Sequence, residues 1–145
     1  EVGAILTQAL NAGMTVPFVG GDGWDGIEAD YAEAAEGHFF GNHYAKSDTA
    51  QVVVDFVTNY TAEYGESPNA LAALAYDAVY AMAQAFEDAG SSDADLVIAA
   101  LAALEYNNAV TGSIQFDANG DPIKAVTIIQ VVDGEHVVVD KVESE

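Results

Sequence analysis

The chain has 145 residues, about half of them apolar, with 24 acidic and 3 basic residues and a formal net charge of -21. That length suffices for one domain with a real core, and the chain is too apolar to be disordered by composition. The charge argues against nucleic acid or an anionic membrane surface as a partner, and no apolar run approaches the ~20 residues that span a bilayer. Cysteine is absent, which excludes disulfides and thiol chemistry and leaves the redox environment open. The acidic residues are spread over the whole chain, as on a solvated surface rather than a tail. Such self-repulsion fits either a saline habitat or an ordinary acidic extracytoplasmic protein. The chain opens at Glu1 without an initiator Met and goes straight into a helical pattern, so it reads as a processed or excised piece.

Taken in order, Val2 to Ala12 predicts a helix with Val2, Ile5, Leu6, Ala9 and Leu10 on one face, stopped by Gly13. Val16 to Gly20 predicts a buried strand, and Ile27 to Ala35 a short helix capped by Asp25 or Gly26. Gly37 to Gly41 reads as a strand. Thr49 to Tyr64 predicts a helix with Val53, Phe56, Val57 and Tyr60 inward. Asn69 to Ala89 predicts a long Ala-rich helix with Leu71, Leu74, Ala75, Ala78, Val79, Met82 and Phe86 inward, its alanines permitting close packing. Ser92-Asp93-Ala94-Asp95 resembles a capping box and opens a helix to Leu104. Three β runs follow, Ser113 to Phe116, Ala125 to Val132 and His136 to Val142. Asp133-Gly134 between the last two is a hairpin signal.

Candidate chemistry concentrates in Val16 to Asp25, VPFVGGDGWD. In an α/β protein, ligands bind at the carboxyl ends of strands. Gly20, Gly21 and Gly23 permit a sharp turn and close approach to a small molecule. Asp22 would then point a negative charge into the crevice, with Trp24 beside it as an apolar wall. The same residues also read as a Gly-rich loop followed by a helix cap. Asp117-Ala118-Asn119-Gly120-Asp121 begins like a calcium loop, but Pro122 and Ile128 stand where the loop glycine and the bidentate glutamate belong, so it reads as a turn. His38, His43 and His136 lack metal-ligand spacing. His43-Tyr44 follows a strand end and is either a cleft lining or a surface loop pair. Tyr60, Tyr64, Tyr76 and Tyr80 fall at helical spacings, as in a core or an interface. No nucleophile elbow, P-loop or dinucleotide fingerprint occurs. The expectation is therefore a non-enzymatic protein with no catalytic residue, metal or cofactor.

The β/α alternation breaks after Gly41 into a block of helices and then a β-rich tail. In one self-contained sheet that order is unusual; it suits an α/β chain that crosses between two lobes. The blocks VPFVGGDGWDG, AAEGHFFGNHY, FVTNYTAEYGESPNALAALAYDAVYAMAQAFEDAG and VTGSIQFDANGDPIKAVTIIQVVDG, in this order, resemble the branched-chain amino-acid-binding family of type I periplasmic solute receptors of ABC transporters. The resemblance covers nearly the whole chain but only the C-terminal portion of such a receptor. It implies part of a two-lobe α/β fold, with 1–41 and 117–145 mainly in one lobe and 42–116 mainly in the other. It also implies an aliphatic amino acid as ligand, a membrane permease as partner, and a periplasmic or extracellular location. In the family, the acidic residue of the GGDGW block binds the ligand's α-ammonium group, which puts Asp22 in that role and Trp24 near the cleft wall. The ligand's carboxylate would be held from the missing N-terminal portion, so this chain carries at most half a site. Uncovered helix faces imply that portion, or self-association, as a further partner. A sensory ligand-binding domain of the same fold, and an isolated or engineered half with no ligand, are the other readings.

The charge yields an expectation of its own. Repulsion between carboxylates is screened over ~10 Å at 0.1 M salt and ~3 Å at 1 M. Folding brings these charges together, so the melting temperature is expected to rise markedly from low to molar sodium or potassium chloride. A flat or falling melting temperature over that range would show that the acidic surface does not limit stability.

Overall fold

A computed structural model of the chain describes residues 1–143. Its first half alternates helix and strand: α1 (Val2–Asn11), β1 (Val19–Gly20), a 3-10 turn (Asp22–Trp24), α2 (Glu28–Ala35) and β2 (Phe39–Asn42). Three helices follow, α3 (Gln51–Tyr64), α4 (Ala70–Ala89) and α5 (Ala94–Ala102). The chain then forms β3 (Gln115–Phe116), β4 (Pro122–Ile123), β5 (Val126–Val132) and β6 (Glu135–Val142).

The main sheet has the order β1-β2-β5-β6. β1 lies parallel to β2, while β5 runs antiparallel to both β2 and β6. Phe40 faces Ile129 in the β2–β5 register. Alternation along β5 buries Thr127, Ile129 and Val131, as a strand with one covered face requires. Leu6 of α1 and Ala34 and Ala35 of α2 join Phe40, Ile129, Val131 and Trp24 in one core. At the hairpin tip Asp133 (φ 52) and Gly134 (φ 73) both take the left-handed region, the requirement of a two-residue type I′ turn. The Glu36 carboxylate accepts hydrogen bonds from both of their N–H groups, at 3.1 and 3.4 Å, and ties the tip to the end of α2.

The helices build around two other clusters. Tyr44, Val53, Phe56, Ala70, Ala73 and Val110 form one; Ala81, Leu104, Ala109 and Ile114 form the other. Val57 and Tyr60 pack against the first of these, beside the buried Val53 and Phe56, which agrees with the inward face expected of α3. The face of α4 does not follow its expectation. Ala70, Ala73, Asp77, Ala81 and Ala85 are buried, whereas Leu71 is 74% and Val79 68% exposed. Met82 and Phe86 are exposed as well. The helix approaches α5 and the 104–114 segment through its small side chains, because alanine lets backbones come close, and its large apolar residues point the other way. On α1, likewise, Leu6, Ala9 and Gly3 are buried while Ile5 and Leu10 are exposed.

Two local expectations shift. The N-cap of α5 is Asp93 rather than Ser92, with its carboxylate accepting from the N–H groups of Asp95 and Leu96. Pro122–Ile123 pairs with β3 as a two-stranded sheet, a strand too short to carry a period-2 pattern. Between them, Asp117 accepts from the N–H groups of Asn119 and Asp121, so the calcium-like stretch is a self-bonded turn.

One buried charge organises the helical group. Asp77 is 2% exposed, and its two carboxylate oxygens accept from the N–H groups of Val110 (2.8 Å) and Thr111 (2.7 Å). Lys124 donates to the carbonyl of Gly112 next to them; burial lowers its pKa, against the opposing pull of Asp77. Asp77→Ala would orphan two buried N–H groups at about 1–3 kcal/mol each. It is expected to destabilise the fold by about 2–6 kcal/mol in urea denaturation, with Asp77→Asn falling between, since it keeps one acceptor oxygen. Equal stability of Asp77→Ala and the parent would show that these bonds contribute nothing net.

Candidate functional site

The site begins with a close contact. A Cβ on Gly20 would lie 2.1 Å from the Trp24 ring, so only glycine fits there. With Trp24 beneath it, the chain leaves β1 and turns through Asp22–Trp24 in one 3-10 turn, closed by the N–H of Asp25 donating to the carbonyl of Asp22 at 3.0 Å. This presents the Asp22 side chain to solvent on the rim of a cavity of about 510 Å³.

The cavity separates the sheet from the start of α4. The sheet side supplies Asp22, Asp25 and Asn42, and the facing side Tyr44, Ser67, Asn69, Leu71 and Leu74. Glu28, Lys46 and His136 close one end. His136 Nε2 lies 2.6 Å from Glu28 Oε2. Lys46 stands 3.8 Å from Glu28 and 3.6 Å from Glu135. The His136 ring meets Phe40 edge-on at 5.0 Å, which fixes the pair against the core. A larger groove of about 880 Å³ between α3 and α4 is walled by Phe56, Tyr60, Tyr76 and Tyr80. It is an aromatic helix surface, whereas the smaller cavity gathers carboxylates, two amides and a helix N-terminus.

Asp22 thus stands where a strand-end carboxylate is expected. Trp24 does not form the cleft wall expected from the sequence: it is 8% exposed and stacks on Phe40 at 6.3 Å. Its bulk supports the turn from below. Asp25 does not cap α2, whose N-cap position is Ile27; its carboxylate reaches Asn42 (3.2 Å) and the N–H of Ala70 (2.9 Å). Of the pair His43-Tyr44, Tyr44 lines the cavity, 3% exposed, packed edge-on against Phe56. Its hydroxyl has no hydrogen-bond partner among the described residues. Sequence reasoning did not find His136, whose pairing with Glu28 joins positions far apart in the chain. Among the described residues no group of acidic or histidine side chains could hold a metal ion.

A mixed sheet and a separate helical group facing each other across a cavity form a fragment of a two-lobe solute-binding fold. A family model described as periplasmic binding protein matches residues 1–135, and the chain belongs to that family, in its branched-chain amino-acid-binding type I group. The Leu/Ile/Val-binding protein homolog 1 of Brucella suis is 29% identical over 127 residues, 84% of this chain and 33% of that protein. Homolog 2 of Brucella abortus is 30% identical over the same shares. Among solved structures, a leucine-binding protein from Thermotoga maritima is 34% identical with a TM-score of 0.87, covering 98% of this chain and 41% of its own. The branched-chain amino-acid transporter substrate-binding protein of Streptococcus pneumoniae, in complex with isoleucine, is 30% identical with a TM-score of 0.83, over 97% and 41%. The chain therefore spans about a third of the length of its curated relatives.

Tyr44 gives this cavity a titration signature. Burial, and then the Asp25 charge, raise its pKa to about 12. An unfolded tyrosine ionises near pH 10, so the stability from keeping Tyr44 neutral is complete below pH 10 and is lost as pH rises toward 12. Tyr44→Phe is expected to remove a decline on the order of 2 kcal/mol across that window while changing stability little at pH 7. An unaltered alkaline slope in the variant, measured by urea denaturation, would contradict the assignment.

Proposed function

We propose that this chain is the C-terminal portion of an extracytoplasmic receptor that binds an aliphatic, branched-chain amino acid and delivers it to the membrane permease of an ABC transporter. The observation that carries the reading is the exposed Asp22 carboxylate, held by the Gly20–Trp24 contact at the mouth of a cavity, in a chain whose relatives include leucine- and isoleucine-binding proteins. Asp22 accepts from the ligand's α-ammonium group, a charge-assisted bond about twice as strong as a neutral one. Trp24 holds Asp22 in place from the core.

In this reading residues 1–41 and 117–145 belong mainly to one lobe and 42–116 mainly to the other. The separation of the sheet core from the helical clusters supports that division. The N-terminal portion of the receptor covers the apolar face of α4 that carries Leu71, Val79, Met82 and Phe86, because so large a bare patch would otherwise drive association. It also supplies the groups that hold the ligand's carboxylate, and no catalytic step takes place.

In a complete receptor containing this segment, Asp22→Asn is expected to weaken binding of leucine, isoleucine or valine by about 1.5–3 kcal/mol, the scale of a hydrogen bond to a charged group. Titration calorimetry reads this directly, and unchanged affinity would remove Asp22 from the site.

A further inference from the structure

Asp25 extends its side chain out of the sheet group. Its Oδ2 accepts from the N–H of Ala70, the first residue of α4, while its Oδ1 accepts from Asn42 Nδ2 at the end of β2. The first amides of a helix have no intrahelical acceptor. The cap residue Asn69 takes the N–H of Ala72, so the N–H of Ala70 is satisfied from the opposite side of the cavity. The first turn of α4 contains no acidic residue, and the Asp25 charge complements the positive end of the helix dipole there. Asn42 is buried and holds its own orientation by accepting from the N–H of His43. It thereby fixes the Asp25 carboxylate in place. The helical and sheet groups have separate cores, and this carboxylate bridges them across the cavity whose rim carries Asp22.

We infer that Asp25 is a latch between the two groups: a positioning residue, not a ligand contact, that holds the start of α4 against the turn carrying Asp22 and so sets the fraction of receptor with a closed cleft. The inference rests on the reading of the cavity as the cleft between two lobes and names what regulates it. Opening the cleft breaks the bond to Ala70 and returns both groups to water, so the net bias is modest. It is large enough to slow ligand release and small enough to leave opening reversible. Because the bond exists only in the closed form, its loss acts mainly on dissociation.

The test uses a complete receptor containing this segment, with spin labels at Glu33→Cys on α2 and Glu87→Cys on α4. Both positions are exposed, and the segment has no native cysteine. Without added ligand, the parent is expected to show a short-distance population that Asp25→Ala depletes and Asp25→Asn, which keeps one acceptor oxygen, depletes less. For L-leucine, Asp25→Ala is expected to raise Kd about tenfold, the scale of a charged hydrogen bond, chiefly through faster dissociation. Identical distance distributions in parent and Asp25→Ala, or no short population in the parent, would overturn the latch. A parent that binds none of leucine, isoleucine and valine would overturn the amino-acid reading, while the distance measurement still decides the latch. If Asp25→Ala fails to fold by circular dichroism, the comparison of Asp25→Asn with the parent decides instead.

Discussion

The Trp24 ring fills the space beneath the backbone of Gly20, where a Cβ would come within 2.1 Å of it. The indole is anchored on Phe40, which pairs across the sheet with Ile129, so the depth of the core fixes where the ring lies. With the ring fixed, the chain must turn immediately after β1, and the turn is only three residues long. Asp22 at its start and Asp25 just after it therefore project toward the same cavity. A side chain at position 20 would push the turn off the indole and move both carboxylates together. The polar geometry of the site is in this sense a consequence of apolar packing one layer below.

A chain with 24 acidic and 3 basic residues has few cations with which to compensate its carboxylates, and backbone amides take over at several of them. Asp77 is met by two N–H groups from the 110–111 segment, Asp25 by one from α4, Glu36 by two from the hairpin tip, and Asp93 by two from α5. Such hydrogen bonds need no counter-ion. Lys46 is committed to Glu28 and Glu135, and Lys124 to a carbonyl.

Much of the fold was legible because its signals are local. The C-terminal hairpin follows from Asp133-Gly134 between alternating apolar runs, and the long helices from their period. The buried face of α4 was not. Its hydrophobic pattern is carried by the large residues Leu71, Val79, Met82 and Phe86, whereas burial in this chain follows Ala70, Ala73, Ala81 and Ala85, whose small size suits close approach and carries little hydropathy signal. The place of Asp22 on the cavity rim was readable from a glycine-flanked carboxylate at a strand end. Asp25 looked like a local helix cap, because nothing near it in sequence reports that Ala70 comes within 2.9 Å. Trp24 looked like a wall because its packing under Gly20 is a contact in space, and Tyr44 and His136 acquire their roles from neighbours on other elements in the same way.

The sheet order has a consequence for how the polypeptide acquires its structure. β2 ends at Asn42, and its second neighbour, β5, begins at Val126, so the whole helical group lies between two strands that must pair. Ordering so long an intervening stretch costs chain entropy before the pairing returns any energy, and such long-range contacts slow folding. On the ribosome, β2 emerges with one edge unpaired and must wait for β5, since domains fold as their elements become available. A hairpin that completes this sheet only after the helical group leaves the open edge of β2 as a site for aggregation until it arrives.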